Sequence, residues 1–203
     1  IFQATHGVAP RDEDIALAER IWDYYWSIGP SGHPYGDGMA QVFSAMELYR
    51  ATGKDKYRDY AIVRARDMGW GMKNNPAFYD TDWLTGGMDM GVLGTYLEKY
   101  PGHPDEQSLK EGLIAAVDHV IDLAANPMGL ESRVNKSGAP IFFVEWDTGV
   151  NVVGQNPLYA STAWGASMAY RMTGDPKYHR FAMDQLNWIL GANWSEICMM
   201  HGA

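Results

Sequence analysis

The chain has 203 residues, 46% of them hydrophobic and 20% charged, with 16 Lys and Arg against 25 Asp and Glu for a net charge of −9. This composition excludes a disordered chain, and the acidic balance without a basic run argues against binding of duplex nucleic acid. No apolar run reaches the roughly 18 residues that a membrane span needs. The length is that of one domain with a substantial core.

Apolar residues at helical spacing predict seven helices. The first carries Ile15, Ile21 and Trp22 on one face, with Asp12 as its predicted N-cap, and ends before Gly29-Pro30. The other six are predicted at residues 39–52, 55–68, 83–99, 109–124, 157–172 and 176–190.

Strands are predicted in one region only. The better candidate is residues 139–146 and the weaker is residues 151–153, and both lie in the long non-helical stretch of residues 126–156. Loops of this length inside a compact helical domain are usually functional.

A short pattern that occurs twice predicts helix–turn–helix corners. Its copies are Tyr49-Arg50-x-Thr52-Gly53-x-x-Lys56-Tyr57 and Tyr170-Arg171-x-Thr173-Gly174-x-x-Lys177-Tyr178. The glycine supplies a left-handed C-cap, Asp175-Pro176 supplies an N-cap and a first-turn proline, and the last tyrosine can pack back on the preceding helix. Residues 96–109 form a looser third corner. Helical hairpins in series favour an α/α toroid, with an ordinary helical bundle as the alternative.

Two segments resemble glycoside hydrolase family 9, of the endoglucanase or cellulase kind. Residues 47–54, which read Glu-Leu-Tyr-Arg-Ala-Thr-Gly-Lys, together with Tyr57 resemble the family's "ELYRATGD..Y" corner. Residues 184–193, which read Asp-Gln-Leu-Asn-Trp-Ile-Leu-Gly-Ala-Asn, resemble its "DQLDWILGANP" segment. The order and separation of the two segments also fit, and the resemblance covers roughly residues 11–195.

The resemblance implies an all-α fold, the (α/α)6 barrel of six helical hairpins. This chain would hold the central to C-terminal part of that barrel, about seven helices with one long loop. Both chain ends look cut. We therefore expect residues 1–203 to be part of a single glycoside hydrolase catalytic domain that is truncated at both ends.

The same resemblance implies hydrolysis of β-glycosidic bonds in glucan, cellulose-like or glucosamine-type saccharides, with inversion and two carboxylic groups. In the family the base belongs to an Asp-Ala-Gly-Asp type motif near the start of the barrel, and the acid is a Glu beyond the stretch where this chain stops. Neither motif occurs here, and Asp80-Thr81-Asp82 lacks the Ala-Gly turn and lies too late in the order. No catalytic residue is therefore predicted, and this chain alone is expected to be inactive.

Two other functions stay open, a non-catalytic α/α toroid that binds saccharides and an α/α-toroid polysaccharide lyase. The expected partner in each case is an oligosaccharide or polysaccharide; no nucleic acid and no membrane span are expected. A secreted or periplasmic location follows from the polymer-degrading relatives alone.

Aromatic residues are abundant, with 8 Trp, 12 Tyr and 6 Phe. Most will fill the core, but flat rings beside carboxylates also suit sugars, which expose apolar C–H faces between their hydroxyl groups. Polar and aromatic residues clustered in predicted loops, or close to the chain end, are the candidate saccharide-binding residues. They are His33, Tyr35, Asp37, Asp82, Trp83, Glu145, Trp146, Asp147 and His201.

Each cluster also has a simpler structural interpretation. Asp37 and Asp82 are suited to be helix N-caps, with Trp83 packed beside the second of them. The segment Glu145-Trp146-Asp147 would then be a surface hairpin.

No cofactor is predicted, although calcium is considered. Glu145 and Asp147, with Asn151 and Asn156 nearby, offer oxygen ligands, but a dense ligand run is missing. The histidines His103, His119 and His179 are scattered without metal-ligand spacing, and Cys198 is alone in the sequence.

Overall fold

The structure is a computed structural model that describes residues 11–28, 39–76, 86–126, 129–130, 133–134, 140–141, 156–193, 196 and 198–200. These residues form seven helices and one short antiparallel ladder. The helices are α1 (Asp12–Ile28), α2 (Met39–Thr52), α3 (Asp55–Asn74), α4 (Gly86–Lys99), α5 (Glu106–Leu123), α6 (Asn156–Thr173) and α7 (Pro176–Leu190). In the ladder, β1 (Arg133–Val134) pairs with β2 (Pro140–Ile141). The predicted all-α class is confirmed.

No helix in the described part of the chain combines the length and the apolar character needed to cross a membrane.

Two predictions about the first helix are wrong. Helix α1 begins at Asp12 itself, because the Arg11 carbonyl accepts the N–H of Ile15 at 3.1 Å and so takes the N-cap position. Ile21, predicted on the apolar face, is 60% exposed, whereas its neighbour Trp22 packs on the rings of other aromatic residues.

Helix α3 is longer than predicted, and the predicted strand is seen in part. The helix extends to Asn74 rather than ending near Met68, because the buried stripe continues through Met72, which is 0% exposed. Of the strand predicted at residues 139–146, the structure describes Pro140–Ile141; the rest of it and residues 151–153 lie outside the described residues.

Contacts divide the chain into two compact units, Ile1–Ala65 and Arg66–Ala203. Each unit is built around its own set of helix contacts. Helix α3 contributes its first part to one unit and its last part to the other.

An aromatic cluster holds the first unit together. Trp22 and Trp26 of α1 meet the ring of Tyr60 on α3 edge-on, with centroids 5.1 and 5.0 Å away. The Gln41 side chain of α2 bridges α1 and α3. It donates a hydrogen bond to the hydroxyl of Tyr25 on α1 and accepts one from the hydroxyl of Tyr60 on α3. One amide therefore connects α2 to both neighbouring helices.

The repeated pattern forms the same corner twice, as predicted. Gly53 and Gly174 have φ angles of +68° and +72°. Their N–H groups donate to the carbonyls of Tyr49 and Tyr170, at 2.7 Å in each copy. This is the single-bond left-handed C-cap that favours glycine over residues with a Cβ.

The last tyrosine of each copy ties its helix to the helix two before it. Tyr57 is fully buried and donates its hydroxyl hydrogen to Glu19 of α1 at 2.7 Å. In the second copy Lys177 pairs with Asp118 of α5 at 2.8 Å, and Tyr178 bonds to the same carboxylate. Helix α3 is thereby fixed to α1, and α7 to α5.

The remaining corner features also agree with the sequence. Asp175 caps α7 by accepting the N–H of Lys177 at 2.9 Å. At the looser third corner Gly102 has a φ of +87°, and its N–H donates to the Glu106 carboxylate at 3.0 Å.

Within the second unit, alternate helices run parallel. Gly91 of α4 lies against Trp164 of α6, and further along the same two helices Glu98 pairs with Arg171. Helices α4 and α6 therefore point in one direction, in close contact. Near the start of α7, Lys177 bonds to Asp118 within α5, and further along α7, Gln185 bonds to Gly129, just beyond the end of α5. Helices α5 and α7 are therefore parallel as well.

The last part of α3 runs parallel to α5. Arg66 bonds to Asp105 at the start of α5, and further along Lys73 pairs with Glu111 at 2.6 Å. On the same two helices, a Cβ built on Gly112 would lie only 2.2 Å from the carbonyl oxygen of Gly69. Because neither glycine has a side chain, the two backbones are in direct contact.

This alternation defines one end of the second unit, which we call the loop end. The first residues of α4 and α6 lie there with the last residues of α5 and α7. The long connection of residues 124–155 and the segment after α7 both leave from the loop end. The short corners lie at the opposite end.

Candidate functional site

All nine predicted saccharide-binding residues lie outside the described residues, so their placement stays a prediction. They are His33, Tyr35, Asp37, Asp82, Trp83, Glu145, Trp146, Asp147 and His201. In the sequence, Asp82 and Trp83 come shortly before α4. Residues 145–147 belong to the connection between α5 and α6, and His201 belongs to the segment after α7; both of these segments leave from the loop end. The described part of the candidate site is therefore the set of contacts that fixes those segments.

The long connection begins in a tight turn. Gly129, with a φ of +64°, donates its N–H to the Asn126 carbonyl at 2.9 Å. The Asn126 side-chain amide donates to the Leu130 carbonyl at 2.6 Å and to the Leu123 carbonyl at 3.1 Å. The turn is thus tied to the last residues of α5.

The far end of the connection is tied to the segment after α7. Asn156, the first residue of α6, donates its side-chain N–H to the Met199 carbonyl at 3.1 Å. The Met199 N–H in turn donates to the Ile189 carbonyl at 2.8 Å. Both the beginning of α6 and the residues beyond α7 are therefore held to the body of α7.

A buried cluster joins these two attachments. Leu130, from the turn, is 1% exposed and packs with Tyr159 of α6 and with Trp188 and Ile189 of α7. Because such burial stabilises by about 1.5–3 kcal/mol for a leucine side chain, the turn is fixed by packing as well as by hydrogen bonds. We call this cluster, with the turn at 126–130, the loop base.

Gln185 is the polar member of the loop base. Its side chain is on α7 and 1% exposed. Its Nε2 donates to the Gly129 carbonyl at 2.8 Å, across 56 positions of sequence. Its Oε1 is buried and has no hydrogen-bond partner among the described residues.

The loop base accounts physically for the motif at residues 184–193. Helix α7 ends in a Schellman motif, with Gly191 at a φ of +113° and the Ala192 N–H donating to the Asn187 carbonyl at 2.9 Å. Asn193 is 7% exposed and donates its side-chain N–H to the Trp188 carbonyl at 2.9 Å. The motif thus encodes a helix end and the buried surface that receives the loop.

One buried carboxylate was missed by the sequence reasoning. Asp89 lies in the first turn of α4 at the loop end and is 5% exposed. A carboxylate there is favoured by the partial positive charge of the helix N-terminus. Its position in a run of Gly and Met, Gly86-Gly87-Met88-Asp89-Met90, is the signal that could have identified it.

Among the described residues of the second unit, the two groups with the largest pKa shifts lie away from the loop end. Burial raises the pKa of Tyr96, in the second half of α4, to about 12. A hydrogen bond to Asp118 raises the pKa of Lys177, in the first turn of α7. Both groups stabilise helix packing, so neither marks a reactive centre.

Among the described residues, no three His, Cys, Asp or Glu side chains come together in a way that would hold a metal ion. Glu145 and Asp147, for which calcium is considered, are not among them. The calcium prediction therefore stays untested.

Comparison with known proteins supplies the remaining evidence. Residues 14–203 match the family model described as glycosyl hydrolase family 9. A cellulose 1,4-beta-cellobiosidase of Acetivibrio thermocellus is 27% identical over 180 residues, 81% of this chain and 19% of that protein. The chain thus spans about a fifth of the length of the curated relative it matches. No solved structure matches the chain significantly.

Proposed function

Because the chain belongs to glycosyl hydrolase family 9, we propose that it is part of an enzyme that hydrolyses β-linked glucan chains outside the cell or in the periplasm. Cello-oligosaccharides are the substrates to try first, since the similar cellobiosidase is named for cellulose. Glucosamine-type oligosaccharides are the second class.

The observation that carries this proposal is the loop base. The family motif on α7 provides Gln185, Trp188 and Ile189, and these residues receive the start of the connection that contains Glu145-Trp146-Asp147. An aromatic side chain between two carboxylates suits a sugar ring, because the ring face stacks while the carboxylates accept hydroxyl hydrogens. The described contacts fix the start of this connection at Gly129 and Leu130.

In the proposed mechanism this chain binds and orients the saccharide, and the two reacting carboxylic groups lie outside it. One of them protonates the leaving oxygen, and the other activates a water molecule on the opposite face of the sugar. Their carboxyl groups are expected to be roughly 6.5–9.5 Å apart, to leave room for that water. The product anomer is then inverted.

The test is turnover of cellotetraose by the full-length protein that contains this chain. Released reducing ends give the rate, and nuclear magnetic resonance of the first products gives the anomer. We expect α-configured products from the β-linked substrate. Binding without release of reducing ends would favour the non-catalytic saccharide-binding protein, and ultraviolet-absorbing unsaturated products would favour a lyase.

A matched pair of tryptophan variants tests the loop. Trp146→Ala is expected to raise KM, since it removes a stacking surface. Trp70→Ala removes an equally large side chain that is 65% exposed on α3, and it should leave KM unchanged. Equal effects of the two changes would contradict a binding role for Trp146.

A further inference from the structure

We propose that the exposed surface along the contact of α4 and α6 binds a β-linked saccharide chain, with the Trp164 indole as its stacking surface. The choice of a β-linked glucan as the ligand rests on the proposed function. The surface itself rests only on described residues of the two helices. We call it the α4–α6 seam, and it consists of Met88, Thr95 and Glu98 of α4 with Trp164, Ser167 and Arg171 of α6.

The Trp164 side chain lies against the backbone of α4. A Cβ built on Gly91 would lie 2.2 Å from the Cδ2 atom and 2.4 Å from the Cε3 atom of the indole. The ring therefore occupies the space that a side chain at position 91 would fill. Trp164 is nevertheless 37% exposed. An indole that is supported by backbone and still exposed offers a ligand a fixed apolar surface.

Residues at helical spacing extend this surface along both helices. On α4, Met88 and Thr95 lie three residues before and four residues after Gly91, so they share its face. On α6, Ser167 lies three residues after Trp164 and shares its face in the same way. Met88 is 42% exposed, and the other two side chains are partly buried. Because α4 and α6 are parallel and in contact, these residues form one continuous strip.

Two hydroxyl groups supply acceptors beside the indole. The Thr95 hydroxyl donates to the Gly91 carbonyl at 2.9 Å, and the Ser167 hydroxyl donates to the Ala163 carbonyl at 2.8 Å. Each hydroxyl hydrogen is thus used within its own helix, while the oxygen keeps the capacity to accept a hydrogen bond. Sugar hydroxyl groups are suitable donors for both oxygens.

An exposed ion pair lies at the far end of the seam. Glu98 pairs with Arg171, and their side chains are 44% and 62% exposed. From Met88 to Glu98, α4 rises about 15 Å. Along that length the seam presents an aromatic surface, then hydroxyl acceptors, then a carboxylate with a guanidinium group. A saccharide chain matches this order, because it carries apolar C–H faces between hydroxyl groups that both donate and accept.

The exposed face of α7 shows what a surface for helix packing looks like. Met183, Leu186 and Leu190 recur there at positions i, i+3 and i+7 and are 41%, 36% and 57% exposed. Such a stripe suits another helix, since the three side chains have neither an aromatic ring nor a polar group. The seam differs in both respects, and we therefore assign a saccharide to it.

The test observes two indoles by fluorine NMR in the full-length protein labelled with 5-fluorotryptophan. The probe is a cellopentaose with sulfur in place of the glycosidic oxygens, which resists hydrolysis. Trp164→Leu and Trp70→Leu each remove one signal and so assign both. We expect the probe to shift the Trp164 signal in a saturable way and to leave the signal of Trp70, which is 65% exposed on α3, unmoved.

A matched pair of threonine variants keeps the indole and tests the polar part of the seam. Thr95→Val removes one acceptor, so the Kd read from the Trp164 signal should rise about fivefold, as the loss of one ordinary hydrogen bond gives. Thr173→Val is the control. Its hydroxyl makes the same kind of bond, to the Ala169 carbonyl at 2.8 Å, nine residues beyond Trp164 on α6. This change should leave the Kd as it is.

An unmoved Trp164 signal, equal shifts of the two signals, or equal effects of the two threonine changes would overturn the inference. So would a Trp164 signal that a soluble paramagnetic agent does not broaden, since another part of the full-length protein would then cover the seam. If the wild type releases no sugar from cellotetraose while the Trp164 signal still shifts, the proposed function fails and the seam stands. Sugar release with an unmoved signal gives the opposite result. If Trp164→Leu does not fold, Trp164→Phe assigns the signal instead.

Discussion

The contact between Gly69 and Gly112 makes a quantitative prediction about helix packing. In Gly112→Ala the new Cβ would lie 2.2 Å from the Gly69 carbonyl oxygen, an atom that cannot move without its helix. Alanine favours the helix over glycine by about 1 kcal/mol, while overpacking costs about 1–3 kcal/mol, with the upper end expected against backbone. We therefore expect a net loss of about 1–2 kcal/mol and a Tm lower by about 2–8 °C.

Gly69→Ala is the matched control on the facing helix. Its Cβ would lie 2.4 Å from the Cδ2 atom of the buried Leu109 side chain and 3.3 Å from the Leu109 Cα atom. The gain in helix propensity is the same and the nearest atom belongs to a side chain, so this change should cost less than Gly112→Ala. Calorimetry or circular dichroism of the two variants decides the matter. If Gly112→Ala unfolds at the wild-type temperature, or if Gly69→Ala is the more harmful, the backbones are not in direct contact.

Three further predictions concern the corners and the cores. Gly53→Ala and Gly174→Ala should each cost about 1–2 kcal/mol in urea unfolding, since both φ angles are left-handed; unequal losses would argue against equivalent corners. Hydrogen bonds from Lys54 and from the Tyr57 hydroxyl lower the pKa of Glu19. This stabilisation is present above the ordinary glutamate pKa of about 4.3 and is lost as the pH falls through the lower folded value. Urea midpoints of Glu19→Gln should thus depend less on pH below about 4.3 than those of the wild type, and parallel curves would refute the assignment. Leu130→Ala should cost about 2–5 kcal/mol, because it leaves a cavity at a side chain that is 1% exposed, and a loss below 1 kcal/mol by the same measurement would contradict that burial.

Prediction from sequence succeeded where the determining interactions are short in range. The two corners follow from a glycine, a threonine and a tyrosine within nine consecutive positions, and both copies fold alike. It failed at Asp12, because the N-cap depends on which carbonyl begins the hydrogen-bond series. It also failed near Met68, where the third helix was predicted to end, although burial of Met72 continues the helix.

In the candidate site, too, short-range and long-range features differ in what the sequence reveals. The binding role of Glu145, Trp146 and Asp147 was predicted from their side-chain chemistry alone and stays a prediction. Gln185, which bonds to the start of their connection, was recognised from the sequence only as part of the 184–193 motif. Its role depends on a bond to a carbonyl 56 positions away, and no local pattern reveals such a partner.

By itself, the sequence determined the helices, the glycine corners and the family, because each depends on spacing within a short window or on a run of consecutive residues such as 184–193. Only the tertiary structure decided which helices run parallel and which glycines lie at a contact. It also decided which buried amide receives the long loop. Those features come from surfaces that are far apart in sequence, and side-chain fit becomes defined only when the helices pack.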